Sequence, residues 1–437
     1  MARKERPEPT ANDVVKIDGE VYDVARWAKN HPGGDLLRFF LGRDASTVFA
    51  AFHGPLARRA LKGLRAKNAP VMAPDPSATS DVERDFEALR ARSVDEGLFV
   101  GRKAWFLLRG LVILGLIGAS AAMLAASSSL WPIAALSLAL AWQQGGWLAH
   151  DVVHHAVFPD RPTGDAVSVA VGGVILGFSA DWWRHKHNTH HALPNVMGVD
   201  TDIDTMPLLA FTERDLENIG GFTRFLVRIQ TVTALPIISF ARLNWVTQSA
   251  LWALKAPRVR LRAFELACIV AHHAWTLAML ALLPTWGLRI AFYVTAQLAS
   301  GIMTGTVFLV GHNARPIYRR DEAPGFYELQ CVASQNVRAP WGTAWFFGGL
   351  ERQIEHHVFP IMPRHNLARV TAATKELCAR HNLAYTERGF FEGLADVAMV
   401  LHRVARAAGA SKTTPPSNTA SGAGDHGDPS FAGGSTT

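Results

Sequence analysis

Residues 110–149, "GLVILGLIGASAAMLAASSSLWPIAALSLALAWQQGGWLA", contain no Asp, Glu, Lys or Arg in forty consecutive positions. As one helix this stretch would be roughly 60 Å long, about twice the thickness of a bilayer core. The segment "SSSLWP" at residues 127–132 favours a turn in the middle. The stretch therefore predicts two membrane-spanning helices in a hairpin, at residues 107–128 and 131–149.

Two more uncharged stretches, at residues 266–283 and 290–311, are separated by "PTWGLR". Both are long enough for a helix to cross a bilayer core. We therefore predict four transmembrane helices in two hairpins, the second pair at residues 266–286 and 290–311. Shorter apolar segments at residues 167–180 and 226–240 predict interfacial or half-buried helices. Buried core helices of a soluble protein are the alternative interpretation of the long segments.

Positive charge lies at the outer ends of the two hairpins, while the connecting turns carry only Arg289. By the positive-inside rule, both termini and the long middle segment are expected on the cytosolic side. The net charge of +7 then suits an anionic membrane surface, and no stacking or base-reading motif indicates a nucleic acid partner. The basic residues concerned are Arg102, Lys103, Arg109, Arg258, Arg260, Arg262, Arg315, Arg319 and Arg320.

Composition divides the rest of the chain. Residues 1–72 have the character of a soluble domain, and "APDPSATSD" at residues 73–81 is typical of a linker. The end of the chain is rich in Ser, Thr, Gly and Pro and cannot build a core. We predict a soluble domain at residues 1–72, a linker and pre-membrane segment at 73–100, a membrane domain at 101–410, and a disordered tail at 411–437.

The segment "VYDVARWAKNHPGGDLLRFFLGRDASTVFAAFH", residues 21–53, contains two histidines on either side of a helical pattern rich in phenylalanine. His31 lies in a Pro-Gly-Gly turn, and His53 ends the segment. His-Pro-Gly-Gly alone would first indicate a turn. Two histidines that flank an aromatic pocket suit the two axial positions of a haem iron, which then passes electrons and does not bind oxygen.

Histidines are concentrated in four short clusters of the membrane domain. In "HDVVHH", His150 and His154 are four residues apart on one helical face, and "HKHNTHH" and "QIEHH" share an i, i+3, i+4 spacing. "GHNA" places one more histidine at the end of the fourth predicted span. The candidate metal ligands are His150, His154, His155, His187, His190, His191, His312, His356 and His357, and Gln353 occupies the first position of the third box.

Two crossings precede the first two clusters and two more precede the others, so all four are expected on one cytosolic face. Eight or nine imidazoles are enough for two metal ions, because a zinc site commonly uses three or four ligands. Imidazole suits iron, copper, nickel or zinc alike, so ligand type leaves the metal open. A domain that delivers single electrons favours two irons that activate oxygen, and a dry site near the bilayer indicates an apolar substrate.

Four segments carry a specific resemblance: "GGWLAHDVVHH", "GFSADWWRHKHNTHHALPN", "DTDIDTMPLLAF" and "GGLERQIEHHVFPIMPRHNL". They resemble the membrane fatty-acid desaturases, and residues 12–70, with "VYDV", "HPGG" and "GRDA", resemble cytochrome b5. The fused haem domain together with Gln353 is similar to the front-end branch of the desaturases. The resemblance implies a mainly α fold, with four transmembrane helices, a cytosolic histidine-box domain and a small α+β cytochrome b5-like domain at the N-terminus.

The family implies an oxidoreductase that places a cis double bond between an existing double bond and the carboxyl end of a polyunsaturated acyl chain. Expected cofactors are two non-haem irons, haem b and O2, with electrons from NADH through cytochrome b5 reductase. Expected partners are that reductase, membrane lipid, and an acyl chain on coenzyme A or a phospholipid, in the endoplasmic reticulum membrane. The boxes look most similar to delta-6-type members, with delta-8, delta-5 and delta-4 also open.

Two alternatives remain at this stage. A sphingolipid long-chain-base desaturase or a lipid hydroxylase would use the same chemistry on a differently placed substrate. A membrane haem protein that transfers electrons, with structural histidines, would have no desaturase activity.

The resemblance assigns haem binding to His31 and His53, and iron binding to the histidines of the boxes and His312, with His155 as the weakest candidate. Gln353 matches the position of His187 in the second box, so we expect its amide to coordinate one iron loosely or to hold a water there.

Neighbouring polar residues receive expectations too. Asp151, Asn188 and Glu355 are expected to orient imidazoles, with exposure to solvent as the alternative. The acidic run Asp200, Asp202 and Asp204 either supports the histidines by hydrogen bonds or forms a solvated turn. Trp182 and Trp183 are expected as interface anchors, with a wall of the acyl channel as the alternative. Arg184, Lys186 and Arg364 are expected as positive-inside charges, with the binding of a phosphate-bearing headgroup as the alternative. His272 and His273 have no assigned role.

Overall fold

A computed structural model describes residues 10–28, 31, 33–66, 69–70, 72, 80–158, 160–340 and 342–410 of the chain. The predicted tail at 411–437 and residues 73–79 of the predicted linker lie outside the described residues. The described chain is mainly helical, with two small two-stranded sheets. The prediction of a mainly α protein is therefore confirmed.

The N-terminal module is a small α+β unit. Strands β1 (Val14–Ile17) and β2 (Glu20–Asp23) pair antiparallel through a two-residue turn whose residues, Asp18 and Gly19, both have positive φ. Helices α1 (Ala25–Ala28), α2 (Ser46–Phe52) and α3 (Pro55–Leu61) and a 3-10 segment (Gly34–Phe40) complete the module. Its core consists of Val15, Ile17, Val24, Leu36, Ala45, Val48 and Phe49, and Ala192 from a later helix closes it.

Helix α4 (Asp81–Asp95) begins at Ser80, whose side chain accepts a hydrogen bond from the backbone N–H of Glu83. Its buried Phe86 and Leu89 pack with the C-terminal part of the chain. The segment predicted as a pre-membrane linker therefore contains an ordered helix that packs against the membrane domain.

Four long helices form two hairpins. They are α5 (Lys103–Ala126), α6 (Trp131–Val153), α11 (Arg262–Ala281) and α12 (Trp286–His312). The first hairpin turns at residues 127–130, as "SSSLWP" predicted, and the Ser120 hydroxyl donates across it to the carbonyl oxygen of Ala134. Three of the four helices begin about four residues earlier than predicted. Their first turns contain a basic residue, whose charged group can extend towards water while the aliphatic part of its side chain stays in apolar surroundings.

By length and composition, α5, α11 and α12 could each cross a membrane. Helix α6 does not meet this criterion among the described residues, because its second half carries Gln143, Gln144 and His150. These polar side chains are tolerated because α6 is largely buried by other helices. The number of spans rises to as many as five when two bent helix pairs are each counted as one, so the four-span arrangement stays a prediction.

The two bent pairs lie between the hairpins. Helix α7 (Arg161–Ala170) continues as a π-helical segment (Val171–Leu176) and then bends by 105° into α8 (Ala180–Ala192). Helix α9 (Gly221–Ser239) meets α10 (Ala241–Lys255) at 61°. At the first bend Gly177 has φ +73°, and a Cβ there would contact the ring of His272 on α11. The predicted helices at 167–180 and 226–240 are thus present, within bent pairs.

The C-terminal part encloses the last histidine box. It contains α13 (Phe326–Val332), β3 (Asn336–Val337), α14 (Ala344–Phe347), α15 (Gln353–Val358), α16 (Thr371–Arg380), β4 (Glu387–Arg388) and α17 (Phe390–Ala410). Strands β3 and β4 pair in parallel, and α17 packs along α9 and α12. Between α14 and α15, Gly348 has φ +64°, and a Cβ there would overlap the ring of Trp147 on α6. This close approach brings α15 to the end of α6.

Candidate metal centre

Eight histidines from the four sequence clusters meet in the interior of the membrane domain. They form two groups, and within each group the candidate ligand atoms lie within 4.8 Å of one another. The five-histidine cluster consists of His150, His154, His187, His191 and His356. The three-histidine cluster consists of His190, His312 and His357. All eight side chains are buried, so they are not solvated surface histidines.

Local helix geometry decides which histidine joins which cluster. On α8, His187 and His191 are four residues apart and share a face, whereas His190 lies on the neighbouring face. On α15, the adjacent His356 and His357 divide between the clusters in the same way. Helices α8 and α15 thus contribute to both clusters, while α6 contributes only to the first and α12 only to the second.

The spacing of the imidazole nitrogens suits a metal ion. The Nε2 atoms of His187 and His191 are 3.1 Å apart, and those of His190 and His312 are 3.3 Å apart. Two nitrogens bound to one ion at about 2 Å each would lie at such a separation. Among the described residues no protein group pairs with the buried Nε2 atoms of His150, His154, His356 and His357. Buried polar atoms of this kind need a partner, and a metal ion supplies one.

Each ring of the three-histidine cluster is held by a hydrogen bond at Nδ1. When Nδ1–H donates, Nε2 is left with its lone pair towards the cluster, which is the form that binds a metal. Two of these partners carry no sequence signal, since a backbone carbonyl and an isolated glutamine belong to no motif. The pairs are His190 with Asp200 Oδ2 at 2.9 Å, His312 with the carbonyl oxygen of Ala333 at 2.9 Å, and His357 with Gln330 Oε1 at 3.0 Å.

The acidic run after α8 has two different ends. Asp200 is fully buried and also accepts a hydrogen bond from the backbone N–H of Asn195 at 2.8 Å, whereas Asp204 is exposed. Burial would raise the pKa of Asp200, but the His190 imidazole and its hydrogen bonds outweigh this and hold that pKa below its ordinary value. Of the two interpretations of the run, histidine support applies to Asp200 and the solvated turn to Asp204.

Gln353 lies beside the three-histidine cluster. Its side chain is 2% exposed, and its Nε2 is 2.8 Å from Nε2 of His312. Its Oε1 is buried without a hydrogen-bond partner among the described residues. The amide thus stands where a fourth ligand of this cluster would stand, and Gly311 leaves room for it, since a Cβ there would lie 3.3 Å from Gln353 Cγ.

His155 does not join either cluster. It has φ +58°, which turns the chain away after His154, and its Nε2 lies 3.8 Å from Asp165. The positive φ follows the end of α6 and directs the ring towards α7. The structure therefore brings together eight of the nine histidines predicted as ligands.

The polar residues expected to orient imidazoles have other partners. Asp151 pairs with Nε of Arg364 at 2.9 Å, and Glu355 accepts hydrogen bonds from Asn336 Nδ2 at 2.8 Å and Tyr385 OH at 2.6 Å. Asn188 lies beside Gly33 of the N-terminal module. The expectation is therefore wrong for Asp151 and Glu355, because sequence neighbours of a helical histidine face different directions.

The basic and tryptophan residues near the boxes are held inside the fold. Arg184 and Arg364 are buried in ion pairs, Arg184 with Asp165 at 2.9 Å, and so are not surface charges. Lys186 forms an ion pair with Asp202. Trp182 is buried, and the Trp183 ring stacks on His187 with ring centres 4.8 Å apart, so neither is an interface anchor. Trp183 instead lines an apolar cavity between the helices, which agrees with the alternative expected for it.

Burial, followed by the neighbouring imidazoles, lowers the pKa of His356 and of His357 well below the ordinary value. Both rings are therefore neutral at pH 7. Neutral imidazole is the form that binds a metal, so the two rings of α15 are ready to act as ligands without losing a proton.

The two histidines of the N-terminal module face each other. The ring centres of His31 and His53 are 5.9 Å apart, and the backbone carbonyl of Phe49 lies 3.1 Å from Nδ1 of His53. That contact leaves Nε2 of His53 available as a ligand. Trp27 and Phe49 pack against the two rings. The donor set and its aromatic walls fit a haem iron with two axial histidines.

An apolar cavity between the helices has His150 of the five-histidine cluster among its lining residues. It fits a flexible hydrocarbon chain, because its walls are mostly aromatic and aliphatic. The aromatic lining residues are Trp142, Trp147, Phe178, Trp183, Trp245 and Phe308, and the polar ones include Ser168, Ser300, Thr304 and Arg242.

Comparison with known proteins gives the same two parts. A family model described as fatty acid desaturase matches residues 126–389, and one described as cytochrome b5-like haem/steroid binding domain matches residues 9–68. The chain is 32% identical to the acyl-lipid (9-3)-desaturase of Physcomitrium patens, over 92% of this chain and 77% of that protein. It is 33% identical to a delta(6)-fatty-acid desaturase of Caenorhabditis elegans, over 87% and 94% respectively. It is 32% identical to the delta(8)-fatty-acid desaturase of Euglena gracilis, over 87% and 92%.

Proposed function

We propose a substrate, a metal content and a membrane arrangement from one premise: the chain belongs to the fatty acid desaturase family. It is a front-end desaturase with a fused cytochrome b5-like domain, an oxidoreductase that acts on fatty acyl chains. Within that activity we propose a delta-6-type product, with the new cis double bond between an existing double bond and the carboxyl end. The relatives named for delta-6, delta-8 and delta-5 products support the branch equally, so the position of the bond is the part to be tested.

Two non-haem irons are the proposed metals. The five-histidine cluster would hold one, and the three-histidine cluster with Gln353 would hold the other. When bound, the irons would supply O2-dependent removal of two hydrogens from the acyl chain, with O2 leaving as two waters after taking up two further electrons and two protons. The single observation that carries this proposal is the convergence of eight buried imidazoles beside an apolar cavity, four of them with an Nε2 that has no protein partner among the described residues.

The residues of the chain would act mainly by positioning. Asp200, Gln330 and the carbonyl of Ala333 hold three imidazole rings with Nε2 towards the cluster. The cavity walls would keep water from the reacting carbons and fix which pair of carbons lies nearest the clusters. Coenzyme A or a phospholipid headgroup is too large and polar for this cavity, so we propose that the carrier stays at its mouth.

His31 and His53 are the proposed axial ligands of haem b. A haem held by these two histidines would pass on single electrons, and we propose NADH through a cytochrome b5 reductase as their source. The module docks directly on the desaturase part, because Ala192 of α8 closes its core and Gly33 lies beside Asn188.

The membrane arrangement is proposed from the apolar helices. Helices α5, α6, α11 and α12 would form four spans, with both termini and the clusters on the cytosolic side, in the endoplasmic reticulum membrane. The domain limits proposed from the sequence, residues 1–72 and 101–410, contain the two matched regions.

The function is tested by expressing the full chain in a host that lacks polyunsaturated acids and supplying single defined fatty acids. Mapping the double bonds of the products should show one new cis bond on the carboxyl side of an existing one. Metal analysis of the purified protein should give close to two irons per chain besides haem.

Other outcomes would point elsewhere. New double bonds or hydroxyl groups in ceramides alone would support the long-chain-base desaturase or hydroxylase. Haem without further iron, and no new lipid, would support an electron-transfer protein and contradict the proposal.

A further inference from the structure

Arg242 is an unusual component of the apolar cavity. It is the second residue of α10, its side chain is 3% exposed, and it lines the same cavity as His150. No carboxylate forms an ion pair with it within the part of the chain that the structure describes. A buried guanidinium without an opposite charge is costly, and such residues in membrane proteins are commonly functional.

The contacts that Arg242 does make leave part of it unused. Its Nη2 donates to the carbonyl oxygen of Leu176 at 2.9 Å, and its guanidinium carbon lies 4.0 Å from the ring centre of Trp142 and 5.3 Å from that of Phe178. Its Nε has no hydrogen-bond partner among the described residues. The cation is therefore held in place by π electrons and one carbonyl, with an unpaired donor in a cavity that an acyl chain would fill.

The position along the cavity identifies what would meet this cation. Trp142 precedes His150 by eight residues on α6, so the two levels are about 12 Å apart along the helix axis. If the carrier stays at the mouth, the methyl-side part of the acyl chain extends beyond the clusters. In a front-end substrate the existing double bonds lie on the methyl side of the new one. The unsaturated part of the chain would thus lie between the clusters and the level of Trp142, in the cavity that Arg242 also lines.

We propose that Arg242 is a specificity-determining residue that binds a double bond already present in the acyl chain. The π electrons of an alkene attract a cation as those of an aromatic ring do, and they are most effective where water is excluded. A saturated chain would place methylene groups against the cation and would have no π electrons to attract it. Arg242 thereby favours polyunsaturated chains. The inference deepens the front-end activity and rests on the proposed path of the chain.

A structural role for Arg242 makes a different prediction. If its only task were to hold the carbonyl of Leu176 and the ring of Trp142, its loss would reduce the conversion of every acyl chain by the same factor. The ratio between substrates separates the two roles, whereas activity alone does not.

The chain offers a matched control in Arg289. This residue also donates to a carbonyl oxygen, that of Leu283 at 2.9 Å, and its guanidinium carbon lies 4.9 Å from the ring centre of Trp286. It lies outside the cavity at the start of α12. Arg289→Met therefore removes a similar set of contacts away from the acyl path.

The experiment compares the full-length wild type, Arg242→Met, Arg242→Lys and Arg289→Met. Each receives pairs of eighteen-carbon acyl chains in competition, one with a single double bond at carbon nine and one with double bonds at carbons nine and twelve. We expect the kcat/KM ratio in favour of the diene to fall roughly three- to tenfold in Arg242→Met, and less in Arg242→Lys. Arg289→Met should keep the wild-type ratio.

A second measurement does not depend on turnover. Under anaerobic conditions, the thermal stabilisation of each protein by the diene and by the saturated acyl chain is compared. The difference between the two ligands should shrink in Arg242→Met. An unchanged ratio and an unchanged difference, or an equal shift in Arg289→Met, would overturn the inference. The inference would also be overturned if Arg242→Met lost stabilisation only by free fatty acids, because that would show that Arg242 binds a carboxylate.

Failure of the proposed function is a separate outcome. If the wild type makes no product from any acyl chain but still binds the diene more tightly than the saturated chain, the front-end activity fails while the role of Arg242 stands. If it makes the front-end product and Arg242→Met alters neither the ratio nor the difference in stabilisation, only the further inference fails.

Discussion

The five-histidine cluster and the three-histidine cluster are built from the same two boxes but differ in how their members are held. Helices α8 and α15 contribute to both, so the difference comes from α6 on one side and α12 on the other. The first cluster has five imidazoles, enough to surround one ion. The second has three, each held at Nδ1, and a buried amide stands beside them. The smaller cluster thus combines fewer imidazoles with a hydrogen bond that orients each of them and with one neutral amide.

Removing a ligand from the larger cluster should have the strongest effect. His154→Ala should abolish measurable desaturation, a loss above about 100-fold, because direct ligands matter more than the groups that orient them. Product analysis and iron content measure it. His155→Ala is the matched control, since the adjacent ring lies outside both clusters, and it should retain most activity and both irons. Equal losses in the two variants would contradict the division into clusters.

The amide of the smaller cluster is expected to matter next. Gln353→Ala should lose about 10- to 100-fold in activity, with iron falling towards one per chain, because the buried site loses its fourth polar group. Gln353→His should retain part of the activity, since an imidazole can occupy the same place. Full activity in the alanine variant would show that the amide is dispensable.

The orienting carboxylate should give a smaller loss. Asp200→Asn keeps the shape of the side chain but weakens the hydrogen bond to Nδ1 of His190, so we expect roughly a tenfold loss of activity. Asp204→Asn changes an exposed carboxylate of the same loop and serves as the control. The result would be at odds with the structure if Asp204→Asn were as harmful as Asp200→Asn.

The smallest expected effect is a difference in iron release. With a graded series of chelator concentrations, the iron of the three-histidine cluster should leave first, because it has fewer imidazole ligands. Iron per chain should then fall in two steps, and Gln353→His should bring the steps closer together. A single step in the wild type, with both irons released together, would show that the clusters do not differ in affinity.

Much of this site could be anticipated from the sequence. The i, i+3, i+4 spacing of "HKHNTHH" and "QIEHH" follows directly from helix geometry, and the charge-free segments fixed the hairpins to within a few residues. The prediction of a mainly α protein with a small α+β N-terminal module is confirmed. The ligand roles of the individual histidines stay a prediction until iron is measured.

Other features could not be anticipated, because they depend on neighbours far away in the sequence. Asp151 and Glu355 are adjacent to histidines in the chain yet contact Arg364 and Tyr385. Gln330 carries no motif and still orients His357. A helix places consecutive residues about 100° apart, so adjacency in sequence separates side chains that only packing can assign to a partner.

Composition and local periods were enough to identify the family, the hairpins, the haem module and the histidine boxes. The tertiary structure alone decided the division of eight histidines into five and three, the exclusion of His155, the place of Gln353 beside His312, and the burial of Arg242 in the cavity. The physical reason is that these features require α6, α8, α12 and α15 to approach one another, and their approach is set by side-chain packing across long stretches of chain.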